Sequence, residues 1–248
     1  MKLKQYIGRH RTNLVTYGVV ILGFVIMQML SASHMLSSSV EGFLVPICAY
    51  VVLAVSLNLV VGISGELSLG HAGFMGVGAF TGIIVAALLK TVIASKVLLL
   101  IVAIVCGGVM AGLFGVVIGL PVMRLRGDYL AIVTLAFGEI LKNLINNMYV
   151  GSDANGVHFV IGTEKPLLVD GGSMIINGPM GATGVAKLAT FPIGFVLILV
   201  TLFVVLNLIN SKEGRAIKAV RDNRIAAESV GINITKYKLM AFVTSAAL

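Results

Sequence analysis

Six long apolar runs constrain the fold of this chain more than any other feature of its sequence. A helix needs about 20 apolar residues to cross the hydrocarbon core of a bilayer, where loops and open sheet edges are not tolerated. The runs predict an all-α, polytopic bundle that forms a single transmembrane domain over residues 1–248. Its predicted spans are 14–33, 43–63, 72–89, 97–120, 129–149 and 190–210. The composition agrees, because 58% of the residues are hydrophobic and only 11% are charged.

The first and last apolar runs each need a separate interpretation. The first run follows a basic segment, so residues 1–33 resemble a secretory signal with a cleavage site at residues 31–33. The run is longer than a signal core of about 7–15 residues and more spans follow it, which favours an uncleaved first span. A seventh run, 237–248, is too short to cross a bilayer. We expect the bundle to continue in C-terminal spans that this sequence lacks.

Positive charge is concentrated on one side of the predicted spans. With the N-terminus inside, cytoplasmic segments hold thirteen of the 18 Lys and Arg residues, and outside segments hold four. Short cytoplasmic loops retain Lys and Arg during insertion, so this bias predicts a cytoplasmic N-terminus. The net charge of +8 is therefore explained by the membrane, and nucleic acid is not a predicted partner. Residues 150–189 form an outside loop, whose Gly, Asp, Asn and Pro content predicts turns.

A glycine-rich stretch, NLVVGISGELSLGHAGFMGVGAFTG, joins the second and third predicted spans at residues 58–82. Glycine weakens a helix by about 1 kcal/mol per site, and membrane proteins tolerate broken helices that line a cavity or are covered by other helices. One interpretation is a discontinuous element beside a transport route. The other is a cytoplasmic turn followed by a small-residue packing face. Candidate route residues in this stretch are Asn58, Gly65, Glu66, Ser68, His71 and Gly73.

Small residues recur at every fourth position in the fourth span. They are Ala103, Gly107, Ala111, Gly115 and Gly119, with Gly108 and Gly112 beside them. Such a stripe lets a neighbouring backbone approach closely. It predicts a tightly packed bundle and says little about a substrate.

The fifth span is less apolar than a simple anchor. Glu139, Lys142, Asn143 and Asn146 lie at spacings of three, four and seven, so they share one helix face. Ionisable groups at membrane depth are costly and usually turn toward a cavity or a partner, so we expect this face to point into the protein. Glu139 and Asn143 are the candidate route residues here. An ion pair between Glu139 and Lys142 explains the two charges equally well.

The cytoplasmic segment 211–235 differs from the rest of the chain because it is rich in charge. Its pattern predicts one short amphipathic helix that ends at Gly231. The small, mostly apolar face of that helix would consist of Ala216, Ala219, Val220, Asn223, Ala226, Ala227 and Val230. Such a helix can rest on anionic lipid or fit a groove of a cytoplasmic protein. The mixture of acidic and basic residues favours the protein partner.

Motifs for catalysis and nucleotide binding are missing from the sequence. The phosphate-binding pattern G-x-x-x-x-G-K-[ST] does not occur, and neither do H-E-x-x-H, G-x-S-x-G or paired Cys/His ligand spacings. Cys48 and Cys106 both lie in apolar runs, where a disulfide framework is not expected. We therefore expect a protein that is not an enzyme and that binds no metal.

Several ordered motifs together resemble one transporter family. They are the glycine-rich stretch at 58–82, LRGDYLAIVTLAFGEI at 125–140, GSDANG at 151–156 and GRAIKAVRDNRIAAESVGIN at 214–233. This set is similar to the permease subunits of bacterial branched-chain amino acid ABC importers, and within them to the M-type permease. The resemblance covers nearly all residues after about 43.

The resemblance implies a multi-pass protein of the bacterial inner membrane that works with other chains. These would be a second related permease, two cytoplasmic ATPase subunits that hold ATP and Mg²⁺, and a periplasmic binding protein that delivers leucine, isoleucine or valine. This chain would bind no cofactor itself. The implied ATPase-docking residues are Arg221, Asp222, Asn223, Ala226, Ala227, Glu228 and Gly231. Ile225 departs from the family pattern, because many importers have Glu at this position.

Two rival functions remain open at the level of sequence. One is a secondary transporter that needs no ATPase, for which inverted repeats and ion sites are expected. The other is a channel or membrane scaffold without a pump cycle. Either would carry small amphipathic solutes without ATP, and copurification of ATPase chains would distinguish both from an importer.

Overall fold

The structure is a computed structural model, and it describes residues 2–33, 36–90, 92–125, 127–153, 156–162, 166, 172–183 and 188–248. Its helices confirm the polytopic, all-helical fold class, because six of them are long and apolar enough to cross a membrane. Candidate spans are Leu14–Ala32, Ser38–Ser64, His71–Leu89, Lys96–Val122, Tyr129–Asn146 and Phe191–Asn210. The outer limits of the domain and its treatment as a single unit stay predictions.

The described helices follow one another with short connections, except between α5 and α6. In chain order they are α1 (Lys2–Ala32), α2 (Ser38–Asn58), a π-helix (Leu59–Ser64), α3 (His71–Leu89), α4 (Lys96–Val122), α5 (Asp128–Asn146), α6 (Phe191–Asn210), α7 (Lys212–Asp222), α8 (Arg224–Ser229) and α9 (Ile234–Ala247). Between α5 and α6 lie strands β1 (Met148–Asp153), β2 (Gly156–Ile161) and β3 (Ser173–Asn177) and the 3₁₀ turn Gly178–Met180.

The chain divides into two compact units. One unit comprises Met1–Val55 and Ala189–Ser211, and therefore contains α1, most of α2, and α6. Its core is built from Cys48, Val52, Ile198 and Leu202. Gly194 permits the contact at its centre, because a Cβ there would lie 2.9 Å from the Cβ of Cys48. The close contact between the helices that carry Cys48 and Gly194 depends on a small residue and not on polar groups.

The second unit comprises Ser56–Leu188 and Lys212–Leu248. In it, α3 and α4 run antiparallel with their glycines in contact, since a Cβ on Gly107 would lie 2.6 Å from the carbonyl oxygen of Gly78. The other side of the small-residue stripe accepts α9, where a Cβ on Gly115 would lie 2.9 Å from the Cβ of Ala246. The predicted packing role of the stripe is confirmed, and the stripe serves two neighbouring helices.

Residues 148–177 contain a small antiparallel sheet that the sequence analysis missed. The strand order is β2-β1-β3, with a register irregularity between Val150 and Gly151 in the β1–β3 pair. Val150, Ile175 and Ile176 bury one face of the sheet against α3. The turn-forming residues dominate the composition of this loop, and the short strands become stable only because they pack on a helix that is distant in sequence.

The prediction of one short helix in the cytoplasmic segment is wrong, because α7 and α8 are separate helices. Asn223 separates them with extended backbone angles (φ −153°, ψ 104°). Its side-chain oxygen accepts a hydrogen bond from the backbone N–H of Ala226 at 3.0 Å, so it caps α8. The buried residues also differ from the predicted face: Gly214, Ile217 and Val220 are buried in α7, and only Ala227 is buried in α8.

Candidate functional site

The glycine-rich stretch forms a break between two helices of the second unit. The chain leaves the π-helix at Gly65, whose φ of +74° is left-handed and favours glycine, and it becomes helical again at His71. Residues 66–70 between them are not helical. Each interpretation of this stretch describes part of the structure: the helix is discontinuous at a break that packs against α5, and Gly78 and Gly82 after the break pack against α4. A transport route beside the break stays a prediction.

The contact with α5 is made through backbone. The N–H of Leu69 donates to Oγ1 of Thr134 at 3.1 Å, and Thr134 lies six residues into α5, about 9 Å from its start. A Cβ on Gly70 would overlap the carbonyl oxygen of Thr134, and a Cβ on Gly138 would lie 3.0 Å from the Cα of Gly70. The two backbones therefore touch at Gly70 and Gly138. This contact fixes the position along α5 at which α3 begins.

A buried polar cluster holds the two sides of the break together. Nε2 of His71 lies 3.0 Å from Oγ of Ser56 in α2 and 3.3 Å from Oγ of Ser245 in α9. Ser245 also donates a hydrogen bond to the carbonyl oxygen of Ser56. All three residues are at most 4% exposed. The cluster joins the end of α2 to α3 and α9 at one point, although Nδ1 of His71 is buried without a hydrogen-bond partner among the described residues.

Helix α7 reaches the break through Arg221. Its Nη1 donates to the carbonyl oxygen of Gly62 in the π-helix at 3.0 Å, while Nε and Nη2 contact Oδ1 of Asp222 at 3.0 and 2.9 Å. The Arg221 side chain also lies over Gly65, where an added Cβ would be 2.6 Å from Cγ of Arg221. The guanidinium thus binds a carbonyl at the end of a helix, a position that favours positive charge.

Helix α9 reaches the same segment through an ion pair. Nζ of Lys238 contacts Oε1 of Glu66, and the two side chains are only 12% and 13% exposed. Glu66 is therefore largely enclosed by the protein and paired with a charge from α9. Three connections now join the break to α7 and α9: Arg221 to Gly62, Lys238 to Glu66, and Ser245 to Ser56.

A groove of about 360 Å³ lies between α3 and α5, and we name it the α3–α5 groove. Gly73 and Gly76 form part of its α3 wall, Glu139 and Lys142 part of its α5 wall, and Gly178 closes one end. Nζ of Lys142 lies 3.3 Å from Oε2 of Glu139. The groove therefore combines exposed backbone, one pair of opposite charges and apolar walls, as small-molecule sites commonly do.

The predicted route residues do not form one group in the structure. Gly73 and Glu139 line the α3–α5 groove, while Gly65 and Glu66 lie at the contact with α7 and α9. Ser68 is buried, and its hydroxyl has no partner among the described residues. Asn58 and Asn143 are exposed outside the groove lining, and His71 belongs to the buried cluster.

The charged residues on the polar face of α5 line the α3–α5 groove, as expected for groups that turn toward a cavity, but they are not buried. The Glu139 and Lys142 side chains are 56% and 63% exposed, and Asn143 is exposed as well. The groove between α3 and α5 is open at this point, so the two charges reach its surface without being buried. Their pairing with each other, which the sequence also allowed, is confirmed.

The predicted docking residues lie mainly at the surface. Arg221, Asp222, Asn223, Ala226, Glu228 and Gly231 are exposed. Ala227 is the exception, because it is 4% exposed and packs with Val220 and Ile234. Ile225 and Val230 are instead the apolar residues that α8 and its end present, at 81% and 74% exposure.

Three residues that make these contacts were missed by the sequence analysis, namely Ser56, Ser245 and Lys238. The serines lie within apolar helices, where small hydroxyl residues are common, and they are 189 positions apart. Lys238 was counted only as a cytoplasmic charge. No spacing in the sequence indicates these contacts, because each one joins segments that meet only in the folded chain.

Comparison with known proteins identifies the family. A family model described as the permease component of branched-chain amino acid transport systems matches residues 39–248. The chain belongs to this family. The family is one of transport permease components, and the six helices that are long and apolar enough to cross a membrane agree with a multi-pass protein.

Two curated relatives agree with this assignment. Both are high-affinity branched-chain amino acid transport system permease proteins named LivM, one from Escherichia coli (strain K12) and one from Salmonella typhimurium (strain LT2). Each is 36% identical to this chain over 211 residues, which is 80% of this chain and 47% of the relative. The chain thus spans about half the length of these relatives. No solved structure matches it significantly.

Proposed function

We propose that this chain is the membrane-spanning subunit of an ATP-driven importer of branched-chain amino acids. The family and the names of the two curated relatives support this substrate class. The importer would contain a second related permease, two cytoplasmic ATPase chains that bind ATP and Mg²⁺, and a periplasmic binding protein. This chain would contribute to the translocation route and transmit the movement of the ATPases.

The proposed location is the bacterial inner membrane, with the N-terminus, α7 and α8 in the cytoplasm. The excess of Lys and Arg in the same segments supports this orientation. Replacing Ile225 by Cys tests it, since this position is 81% exposed. A thiol reagent that cannot cross membranes should label the Cys in inside-out vesicles and not in right-side-out vesicles. Labelling in right-side-out vesicles would reject the importer assignment.

The proposed contact with the ATPase is the surface of α8 and the end of α7. This surface combines exposed charges at Arg221, Asp222 and Glu228 with exposed apolar side chains at Ile225 and Val230. A short helix with an apolar part and charged neighbours fits a groove on a folded partner. Ala227 would support this surface from inside instead of touching the partner.

One observation carries the proposal: Arg221, in the docking segment, donates a hydrogen bond to Gly62 in the helix break. A displacement of α7 by the ATPase would act directly on the π-helix. Lys238 and Ser245 would make α9 follow the same movement, because they bond to Glu66 and Ser56. Alternating access requires such a discrete element whose two arrangements are favoured by different ligands.

The proposed substrate route passes the α3–α5 groove. Glu139 and Lys142 place a carboxylate and an ammonium group 3.3 Å apart at its edge, and an amino acid carries the same two groups. Leu69, Leu135 and Ile145 provide apolar lining suited to aliphatic side chains. This assignment retains Gly73 and Glu139 of the predicted route residues, and it gives Glu66 and His71 a part in transmitting motion.

The experiment that tests the proposal compares two arginines of α7 in the complete reconstituted transporter. In Arg221→Gln the hydrogen bond to Gly62 is lost, and we expect uptake per ATP hydrolysed to fall about fivefold, as for a partly exposed bond of about 1 kcal/mol. Arg215→Gln is the matched control, because Arg215 is exposed on the same helix and has no hydrogen bond to the π-helix in the described part of the chain. Equal coupling in both variants would reject the proposed transmission.

A further inference from the structure

Strand β2 has an apolar face that the α3 helix does not cover. The β1–β2 register pairs Val157 with Ser152, Phe159 with Val150 and Ile161 with Met148. Directly paired residues of antiparallel strands have their side chains on the same face of the sheet. Val157, Phe159 and Ile161 therefore share the face on which Val150 is buried.

This face of the sheet packs against the side of α3 and not against the end of the helix. Val150, Ile175 and Ile176 pack against Phe80, Ile83, Ile84 and Ala87 of α3. Those four residues are spaced by three, four and seven, so they occupy one side of the helix over about two turns. Since α3 is a candidate span over its whole length, the sheet lies against the part of that span that precedes Leu89.

Beyond the edge of α3, the same face continues into β2 without cover. Val157, Phe159 and Ile161 are 44%, 56% and 54% exposed, whereas Val150 and Ile176 are at most 1% exposed. The three side chains extend over about 14 Å of strand. A strand whose exposed face carries Val, Phe and Ile is patterned for an apolar surrounding, the reverse of a water-facing edge strand.

The opposite face of β2 is polar at its centre. His158 points to that face, and its Nε2 lies 3.0 Å from Oδ2 of Asp153. Among the described strands, only β1 pairs with β2, and backbone N–H and C=O groups on the other edge cannot lie in the hydrocarbon core without partners. Water or lipid headgroups must therefore be available to this edge, while the Phe159 face needs an apolar contact.

We propose that β2 lies at the membrane–water boundary on the side where α5 ends, with Val157, Phe159 and Ile161 against lipid acyl chains and His158 on the opposite face, turned away from them. The direction of the face favours lipid over a soluble protein. The exposed face of β2 continues the surface that packs on the side of a membrane span. It is therefore directed along the plane of the bilayer. This inference rests on the multi-pass family and the sheet register, and it does not depend on the proposed substrate or ATPase contact.

Photocrosslinking in the complete transporter in native membranes tests the placement. A benzophenone analogue of phenylalanine is incorporated at position 159, and separately at position 157 in case the first variant does not assemble. Position 158 is the matched control on the opposite face. Position 203 is the lipid control, since Phe203 is 61% exposed on the span helix α6. After irradiation, mass spectrometry of the isolated chain detects adducts.

We expect the chain to gain the mass of one phospholipid when the probe is at position 159, 157 or 203. We expect no such adduct when the probe is at position 158. A crosslink from positions 159 and 157 to another polypeptide would overturn the proposal and would identify a protein that covers the strand. The absence of lipid adduct at both positions, with a positive result at position 203, would place the face in water and would also overturn it. Uptake measured in the same variants separates this outcome from any failure of the importer assignment.

Discussion

The glycines of α4 and those of the helix break perform different tasks in the same unit. In α4, Gly107 and Gly115 remain in a regular helix, and the missing side chains let α3 and α9 approach through backbone and methyl contacts. In the break, Gly65 adopts a left-handed conformation and Gly70 touches the backbone of α5. The break is additionally bonded by charged side chains from α7 and α9.

Glycine can therefore contribute to tight, fixed packing in one region and to a backbone whose bonds can change in another. The α4 stripe has no alternative partner to exchange, so its contacts contribute stability. In the break, a backbone carbonyl and a carboxylate are bonded by side chains of α7 and α9, and hydrogen bonds of this kind can be exchanged between two arrangements. Substitutions in the two regions should therefore differ in what they change, and three predictions examine this.

The largest effect is expected for Gly70→Ala. The added methyl group overlaps the backbone carbonyl oxygen of Thr134, which cannot move without separating α3 from α5. We expect loss of both folded yield and uptake, since an overlap this deep, with both the oxygen and the carbon of a backbone carbonyl, costs more than the roughly 1–3 kcal/mol of ordinary overpacking. Size-exclusion chromatography of the purified transporter measures the yield. Gly42→Ala is the control, because nothing lies within 4 Å of a Cβ at that position, and normal uptake by Gly70→Ala would contradict the described crossing.

The second effect is expected for Lys238→Met, which leaves Glu66 charged and nearly buried. Removing one partner of a buried ion pair costs about 3 kcal/mol or more, so we expect a lower thermal unfolding midpoint and less uptake per ATP. The double variant Lys238→Met with Glu66→Gln removes the unpaired charge. It should recover most of the stability but not the coupling, because the connection between α9 and the break is still missing. Recovery of both would show that the ion pair only stabilises the fold.

The smallest effect is expected for Gly107→Ala in the α4 stripe. Its Cβ would lie 2.6 Å from the carbonyl oxygen of Gly78, so α3 and α4 must move apart by a small distance. We expect destabilisation by about 1–3 kcal/mol, measured as a shift in the thermal unfolding midpoint. Uptake per ATP in the folded fraction should be unchanged. Gly23→Ala provides the control in an uncrowded helix, and a changed coupling ratio in Gly107→Ala would remove the distinction between the two regions.

Much of the fold was predictable because membranes impose a simple rule on sequence. Apolar length alone located the helices that became α3 and α4, and the four-residue spacing of small residues predicted their packing. The three strands were missed because their stability depends on α3 as much as on their own residues. The break between α7 and α8 was missed because Asn223 fits the small face of a helix as readily as it caps one.

The candidate site was predictable only in part. Glycine density marked the break, and the charge pattern marked the segment that contacts it, but nothing in the sequence indicated that Arg221 bonds to Gly62, 159 residues earlier. The eight predicted route residues were therefore grouped by sequence proximity, and the structure distributes them between the α3–α5 groove, the contacts with α7 and α9, the buried cluster and the surface. The direction in which each of these side chains points depends on which helices become neighbours in the folded chain.

Three properties followed from the amino-acid sequence alone: the chain crosses a membrane several times, its fourth span carries a stripe of small residues, and its motifs resemble one family. Hydrophobic length and local spacing are properties of single segments, so they do not depend on tertiary contacts. Only the tertiary structure decided which segments meet: that α9 packs on α4, that α7 bonds to the π-helix, and that β2 extends beyond the side of α3. These contacts join residues far apart in the chain, and their free energy exists only once the intervening helices have packed.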